Sequence, residues 1–334
     1  MSLQSIQASP SQRTEAYDAA VLAWQSKHHA DAGRAIPTPP PARYVAEPSY
    51  NPSALAFQPQ SGNGSSTAAA NGPSFDAQVR GQDPQAIDLE LMQISNAAYS
   101  PGVTQVGNWT RMNDTDLAAA GIDPATLENP DTGLRAGIYQ NAEGQTVLAF
   151  SGSNELQDWT GANFEQGVGW QNEQYDQAVQ LAQQADAAFG DNLVITGHSL
   201  GGGLAAAASL ATGNAAVTFN ASGVHDNSIE RLGLDPATAK ADAEAGQIRR
   251  YNIGGEVLTA AQEDVIGLRN LMPDAPGHEI NLADPAPPQL DTSGPFWEQP
   301  GHLAQYLIDK VARPAQLHQQ QPVIDALTQQ RPWQ

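Results

Sequence analysis

Gly197-His198-Ser199-Leu200-Gly201 sets a serine between two glycines in the pattern G-x-S-x-G. A serine hydroxyl is a weak nucleophile at neutral pH, and this pattern is one way a chain presents it to an acyl carbonyl. The setting is more telling than the pattern. Residues 193–196 read as a short apolar strand, and Gly202, Gly203, Ala205 and Ala206 open a helix of small residues over about 200–211. A sharp turn from strand to helix strains the serine and leaves no room for side chains two positions to either side, a need that Gly197 and Gly201 meet. The helix N-terminus then aims its dipole and free N–H groups at a developing oxyanion. The plainer alternative is a glycine-rich turn that ends a strand.

Such a serine needs a base, and the base needs an acid to orient it. Four histidines lie downstream, His225, His278, His302 and His318. His302, in Gly301-His302-Leu303, precedes a helical pattern of Leu303, Tyr306, Leu307 and Val311, and this loop-to-helix position makes it the expected base. His278, in a loop with Pro and Gly, is the alternative; His225 and His318 are less favoured. His198 adjoins the serine but points aside and reads as structural. Two strands, 216–220 and 248–253, follow the small-residue helix. In α/β-hydrolases the acid usually follows the second of these, where the chain reads Gly254-Gly255-Glu256. Glu256 is therefore the expected acid, with Asp226 after the first strand as the fallback.

The elements that must position these groups are also legible. Asp83 and Pro84 suggest a helix start leading through Ile87, Leu91, Met92 and Ile94 to about Tyr99. A hairpin follows around a turn at 141–144, with strands at 137–140 and 146–151. Tyr175, Val179, Ala182, Ala185 and Phe189 share one face of a helix over 172–189, with Gly190 as its stop. Alternation of strand and helix predicts an α/β fold with a mostly parallel sheet flanked by helices. Ten of the 24 prolines fall before residue 85, and 61–73 is mostly Ser, Gly, Asn and Ala. Residues 1–80 thus read as a disordered or extended N-terminal region with one short helix near 11–29, residues 81–313 as the folded domain, and 314–334 as a Gln-rich, solvated tail.

Composition removes other classes of function. With 15 Lys and Arg against 36 Asp and Glu the formal charge is −21, which argues against nucleic acid as a partner and against electrostatic capture by an anionic bilayer. The chain has no cysteine, which excludes disulfides, thiolate metal sites and a cysteine nucleophile. No cleavable secretory signal or membrane-spanning run is expected, and no metal or cofactor is required by the chemistry above.

Three stretches together carry a resemblance: Leu148-Ala149-Phe150-Ser151-Gly152-Ser153, Asp158-Trp159, and Val194-Ile195-Thr196-Gly197-His198-Ser199-Leu200-Gly201-Gly202. The chain resembles the class 3 lipases, the fungal-lipase-like branch of the α/β-hydrolases, from about Trp109 to Val311. It departs where Ser151 replaces the family's arginine and Glu256 its aspartate. The resemblance implies that Leu200 and Ser153 supply the oxyanion N–H groups and that a lid lies near this loop; the stretch from Gly161 to Trp170 is either that lid or a packed surface loop. It also implies a serine ester hydrolase acting on lipid esters, a lipase or phospholipase. A Pro-rich extension without a signal is similar to secreted bacterial phospholipase effectors, which leave by dedicated machines, act in the target-cell periplasm or at its membrane, and are checked by an immunity protein. The rival readings are a silent hydrolase fold used as a binding module, and a small-ester esterase or thioesterase.

Overall fold

The hairpin at Asn141–Gly144 marks where the sheet changes from antiparallel to parallel pairing. The computed structural model describes residues 72–152, 164–256, 273–291, 293 and 299–334, all within the unit Phe57–Gln334. Residues 1–71, with most of the expected extension and its helix near 11–29, lie outside the described residues, as do 153–163. Strands β1 (Gln105–Val106), β2 (Trp109–Arg111), β3 (Glu128–Asn129) and β4 (Leu134–Gln140) form the antiparallel side. The hairpin joins β4 to β5 (Thr146–Phe150), and its Asn141 side chain accepts from the N–H groups of Glu143 and Gln145. From β5 onward, β6 (Leu193–His198), β7 (Ala216–Phe219), β8 (Ile248–Ile253) and β9 (His278–Leu282) add in parallel, one after the next.

Burial on both faces explains why these strands are nearly continuous apolar runs. Leu148, Phe150, Leu193 and Ile195 face the helices Phe164–Phe189 and Leu200–Thr212. Val147, Ala149, Val194 and Val217 face the helices Phe75–Val79, Ile87–Ala97 and Gln320–Gln330. This is the α/β-hydrolase arrangement, with the serine turn following a strand at the middle of the sheet.

Two boundaries differ from expectation. Order begins before residue 81: Ser74 caps Phe75–Val79, whose Phe75 and Val79 are buried. The next helix starts at Ile87 rather than just after Asp83. Its first turn carries Asp88, a buried carboxylate that accepts from Arg249 on β8 at 2.6 Å and from the Tyr251 hydroxyl at 2.6 Å. Arg249 also donates to the carbonyls of Val79 and Gly81, so the segment from Val79 to Asp88 is tied to the strand that leads to Glu256. Removing one charge of such a pair strands the other in the core. Asp88→Asn should therefore lower unfolding stability by about 3–5 kcal/mol, read from denaturant titration.

The largest departure is at the C-terminal side. Residues 314–334, read from sequence as a solvated tail, finish the helix Gln299–Leu317 and form the helix Gln320–Gln330. Leu317, His318, Val323, Ala326 and Leu327 are buried. Val323, Ala326 and Leu327 recur at i, i+3 and i+4, the face of a docked helix, and they join the core with Leu91, Val217 and Phe219. The preceding helix is inverted: Arg313 turns toward Asp284 at 2.9 Å, while Leu303, Leu307, Ile308 and Val311 are exposed, Val311 at 84%.

Candidate active site

Ser199 is the N-cap of the helix Leu200–Thr212 and has φ 61°, ψ −129°, a conformation that non-glycine residues seldom adopt. Its surroundings demand the flanking glycines. A Cβ on Gly197 would strike the Gly201 carbonyl, and one on Gly201 would strike the Phe150 carbonyl. The Ser199 N–H donates to Phe219 at 3.0 Å, and its carbonyl accepts from Gly202, Gly203 and Ser222. These bonds fix the turn from both sides.

The serine hydroxyl lies 2.9 Å from Nε2 of His318, and Nδ1 of the same ring lies 2.6 Å from a Glu256 carboxylate oxygen. All three residues are buried, Glu256 completely. Glu256 follows β8 through Gly254 and Gly255, the latter at φ 82°, and its N–H donates to the Ile253 carbonyl. His318 occupies the short link between the helices Gln299–Leu317 and Gln320–Gln330. With Glu256 accepting at Nδ1–H, Nε2 is left as the acceptor for the serine proton.

The expected base His302 is elsewhere. Its Nδ1 contacts the Asp291 carbonyl at 3.1 Å, and the ring is partly exposed. His278 opens β9 and pairs with Glu244 at 2.8 Å; Asp226 is half-exposed and pairs with Lys240 at 2.6 Å. His225 caps the helix Asp226–Arg231. The structure thus brings Ser199 and Glu256 together around His318, not around His302 or His278. His302 stands near the start of the helix Gln299–Leu317 and His318 just past its finish.

Leu200 is the first residue of the helix, where N–H groups lack intrahelical acceptors. Gly152 abuts it, since a Cβ there would lie 3.3 Å from the Leu200 nitrogen. Ser153, the other expected oxyanion donor, lies outside the described residues, as do Asp158, Trp159 and the first part of the stretch expected to be a lid or surface loop.

A profile described as Tle-like phospholipase domain, of the phospholipase-like family, matches residues 90–288. The extracellular phospholipase A1 of Serratia liquefaciens is 44% identical over 269 residues, covering 80% of this chain and 79% of that one. The chain belongs to the Tle-like phospholipase family. Among solved structures, a mutant form of MDLA from Penicillium cyclopium is 16% identical, covering 62% of this chain and 80% of that one with a TM-score of 0.37. A fungal lipase is likewise 16% identical, covering 66% and 82%, with a TM-score of 0.35. In this Tle-like phospholipase the family match ends at residue 288, so Ser199 and Glu256 fall inside it and His318 lies beyond it.

Two further residues of this Tle-like phospholipase lie beside this geometry: His198, which reads from sequence as structural, and Asn220, which no sequence signal singles out. His198 is buried, and burial first, then the neighbouring His318 ring, pushes its imidazole down to about 3, against the pull of its bond to the His318 carbonyl. Asn220 is buried with φ 41° at the end of β7. Both bond to the backbone around His318. Among the described residues no cluster of three or more His, Cys, Asp or Glu could hold a metal ion, and no helix is long and apolar enough to cross a membrane.

Proposed function

We propose that this chain is a secreted serine hydrolase that cleaves acyl esters of phospholipids with a Ser199–His318–Glu256 triad. The observation that carries this reading is the unbroken line of hydrogen bonds from the serine hydroxyl through His318 to a buried carboxylate. Ser199 Oγ attacks the ester carbonyl while Nε2 of His318 takes its proton. Glu256 holds the ring in the correct tautomer and stabilises the imidazolium. The Leu200 N–H faces the developing oxyanion, with Ser153 as the second donor; one such donor is typically worth about 3 kcal/mol. His318 then protonates the departing alcohol, and water, activated by the same ring, releases the fatty acid and restores Ser199.

Phospholipid as substrate is supported by the family and by the Serratia relative, named as a phospholipase A1. The exposed Leu303, Leu307, Ile308 and Val311, on the helix that leads into His318, suit a lipid-facing surface better than a soluble ester's. The relative's extracellular name supports release from the producing cell. Within this reading the enzyme is an effector that attacks another cell's membrane from the periplasm and is restrained by a cognate inhibitor. Growth arrest on periplasmic expression, absent for the Ser199→Ala chain, tests that role.

The enzymatic test is direct. Phosphatidylcholine vesicles should release free fatty acid, and a fluorophosphonate probe should label the peptide containing Ser199. Neither turnover nor labelling would instead favour a silent binding module, and turnover of short soluble esters alone would favour a small-ester esterase. Glu256→Gln should lower kcat by about 10⁴-fold, because the orienting charge and tautomer are lost, whereas Asp226→Asn should leave it within twofold.

A further inference from the structure

We propose that His198 and Asn220 are positioning residues that hold the catalytic histidine by its main chain. This rests on the triad reading above. The imidazole of His318 is bonded at both nitrogens, but a ring is only as well placed as the peptide that carries it, and His318 lies in a link between two helices. There the last carbonyls of the helix Gln299–Leu317 have no intrahelical N–H to accept.

Two consecutive carbonyls in this link are gripped by side chains from two neighbouring strand ends. Asn220 Nδ2 donates to the Leu317 carbonyl at 3.0 Å, and His198 Nε2 donates to the His318 carbonyl at 2.6 Å. His198 is the residue before the nucleophile. Asn220 reaches the other way too: its Oδ1 accepts from Ile253 N–H at 3.0 Å, three residues before Glu256, and its own N–H donates to Tyr251 at 2.8 Å. One amide therefore couples the acid-bearing strand end to the histidine's peptide. Its positive φ is tolerated because asparagine visits that region at low cost; glycine would accept the backbone but supply no bridge.

Nε2 of His198 faces a carbonyl and must carry the proton, which leaves Nδ1 as an acceptor toward Tyr99. The Tyr99 hydroxyl lies 3.1 Å from Nδ1 of His198 and 3.1 Å from the His198 carbonyl, so its single proton is shared between these two acceptors. Burial pushes the Tyr99 hydroxyl up to about 12, so its proton stays in place. His198 also remains neutral beside the ring that must become an imidazolium, with centroids 5.2 Å apart. A cation there would oppose the proton transfer.

The test compares kinetics of His198→Ala, His198→Gln, Asn220→Asp and Tyr99→Phe on a soluble chromogenic ester and on phosphatidylcholine vesicles. His198→Ala should lose about 10²-fold in kcat with KM within twofold, as expected for a misplaced catalytic group. His198→Gln, which keeps an N–H donor at similar reach, should recover kcat to within about tenfold of the parent. Asn220→Asp, which removes the donor while keeping an acceptor for Ile253, should also lower kcat selectively, and Tyr99→Phe should do so mildly. The downfield Nδ1–H proton of His318 should broaden in His198→Ala and return in His198→Gln. Parent-like kcat in both His198→Ala and Asn220→Asp overturns the proposal, as does equal loss in the alanine and glutamine variants at parent-like thermal stability. If His198→Ala does not fold, Asn220→Asp and Tyr99→Phe decide. An inactive, unlabelled parent would instead sink the triad reading itself.

Discussion

His318→Ala should abolish ester turnover, with kcat reduced on the order of 10⁵–10⁶-fold, while His302→Ala should stay within twofold of the parent. The contrast follows from contacts, not from residue type. His318 links Ser199 Oγ at 2.9 Å to Glu256 at 2.6 Å. His302 spends its Nδ1 on a carbonyl at residue 291 and belongs to the partly exposed side of its helix. Deleting the first removes the described side chain that is hydrogen-bonded to the serine hydroxyl. Deleting the second releases one surface hydrogen bond. Both variants need only a chromogenic ester assay and a melting curve. The reverse pattern would return the base to His302 and require a large rearrangement of the C-terminal helices.

Ser199→Ala and Ser199→Gly should both be inactive by about 10⁶-fold, yet they should differ in stability. Alanine at φ 61° carries the same backbone strain as serine, so its unfolding free energy should be near the parent's. Glycine relieves that strain at some cost in unfolded-chain entropy, and should raise stability by about 1 kcal/mol. Denaturant titration of the three chains measures this directly. A glycine variant no more stable than alanine would mean that the turn is relaxed and that the elbow stores no strain for presenting the nucleophile.

The sheet and the nucleophile were legible because their signals are local. G-x-S-x-G between an apolar strand and a small-residue helix needs no knowledge of distant contacts, and Glu256 follows from counting strands after it. His318 was hidden by composition. The glutamines around it dilute the apolar content of 314–334, so three buried side chains, Val323, Ala326 and Leu327, did not register as a docked face. The start of a helix points to His302, but it is a local cue that cannot reveal which helix end meets the serine. The clamp of Asn220 on two separate segments depends on a backbone angle and on contacts spanning 97 and 33 residues. Neither is written in any short stretch of sequence. The first turn of the helix Ile87–Ala97 is opaque for a similar reason, since its Asp88 finds a buried partner 161 residues away.

The docking of the helix Gln320–Gln330 has a consequence for how activity is lost. That helix is held chiefly by three modest apolar side chains, whereas the central strands are buried on both faces. Segments with few buried contacts open at lower free energy than the core they cover. Its detachment would loosen the link that carries the proton acceptor and leave Ser199 standing in an intact elbow. On warming, hydrolysis should therefore fade while the sheet's spectroscopic signal persists, and cooling should restore it: inactivation by fraying rather than by unfolding.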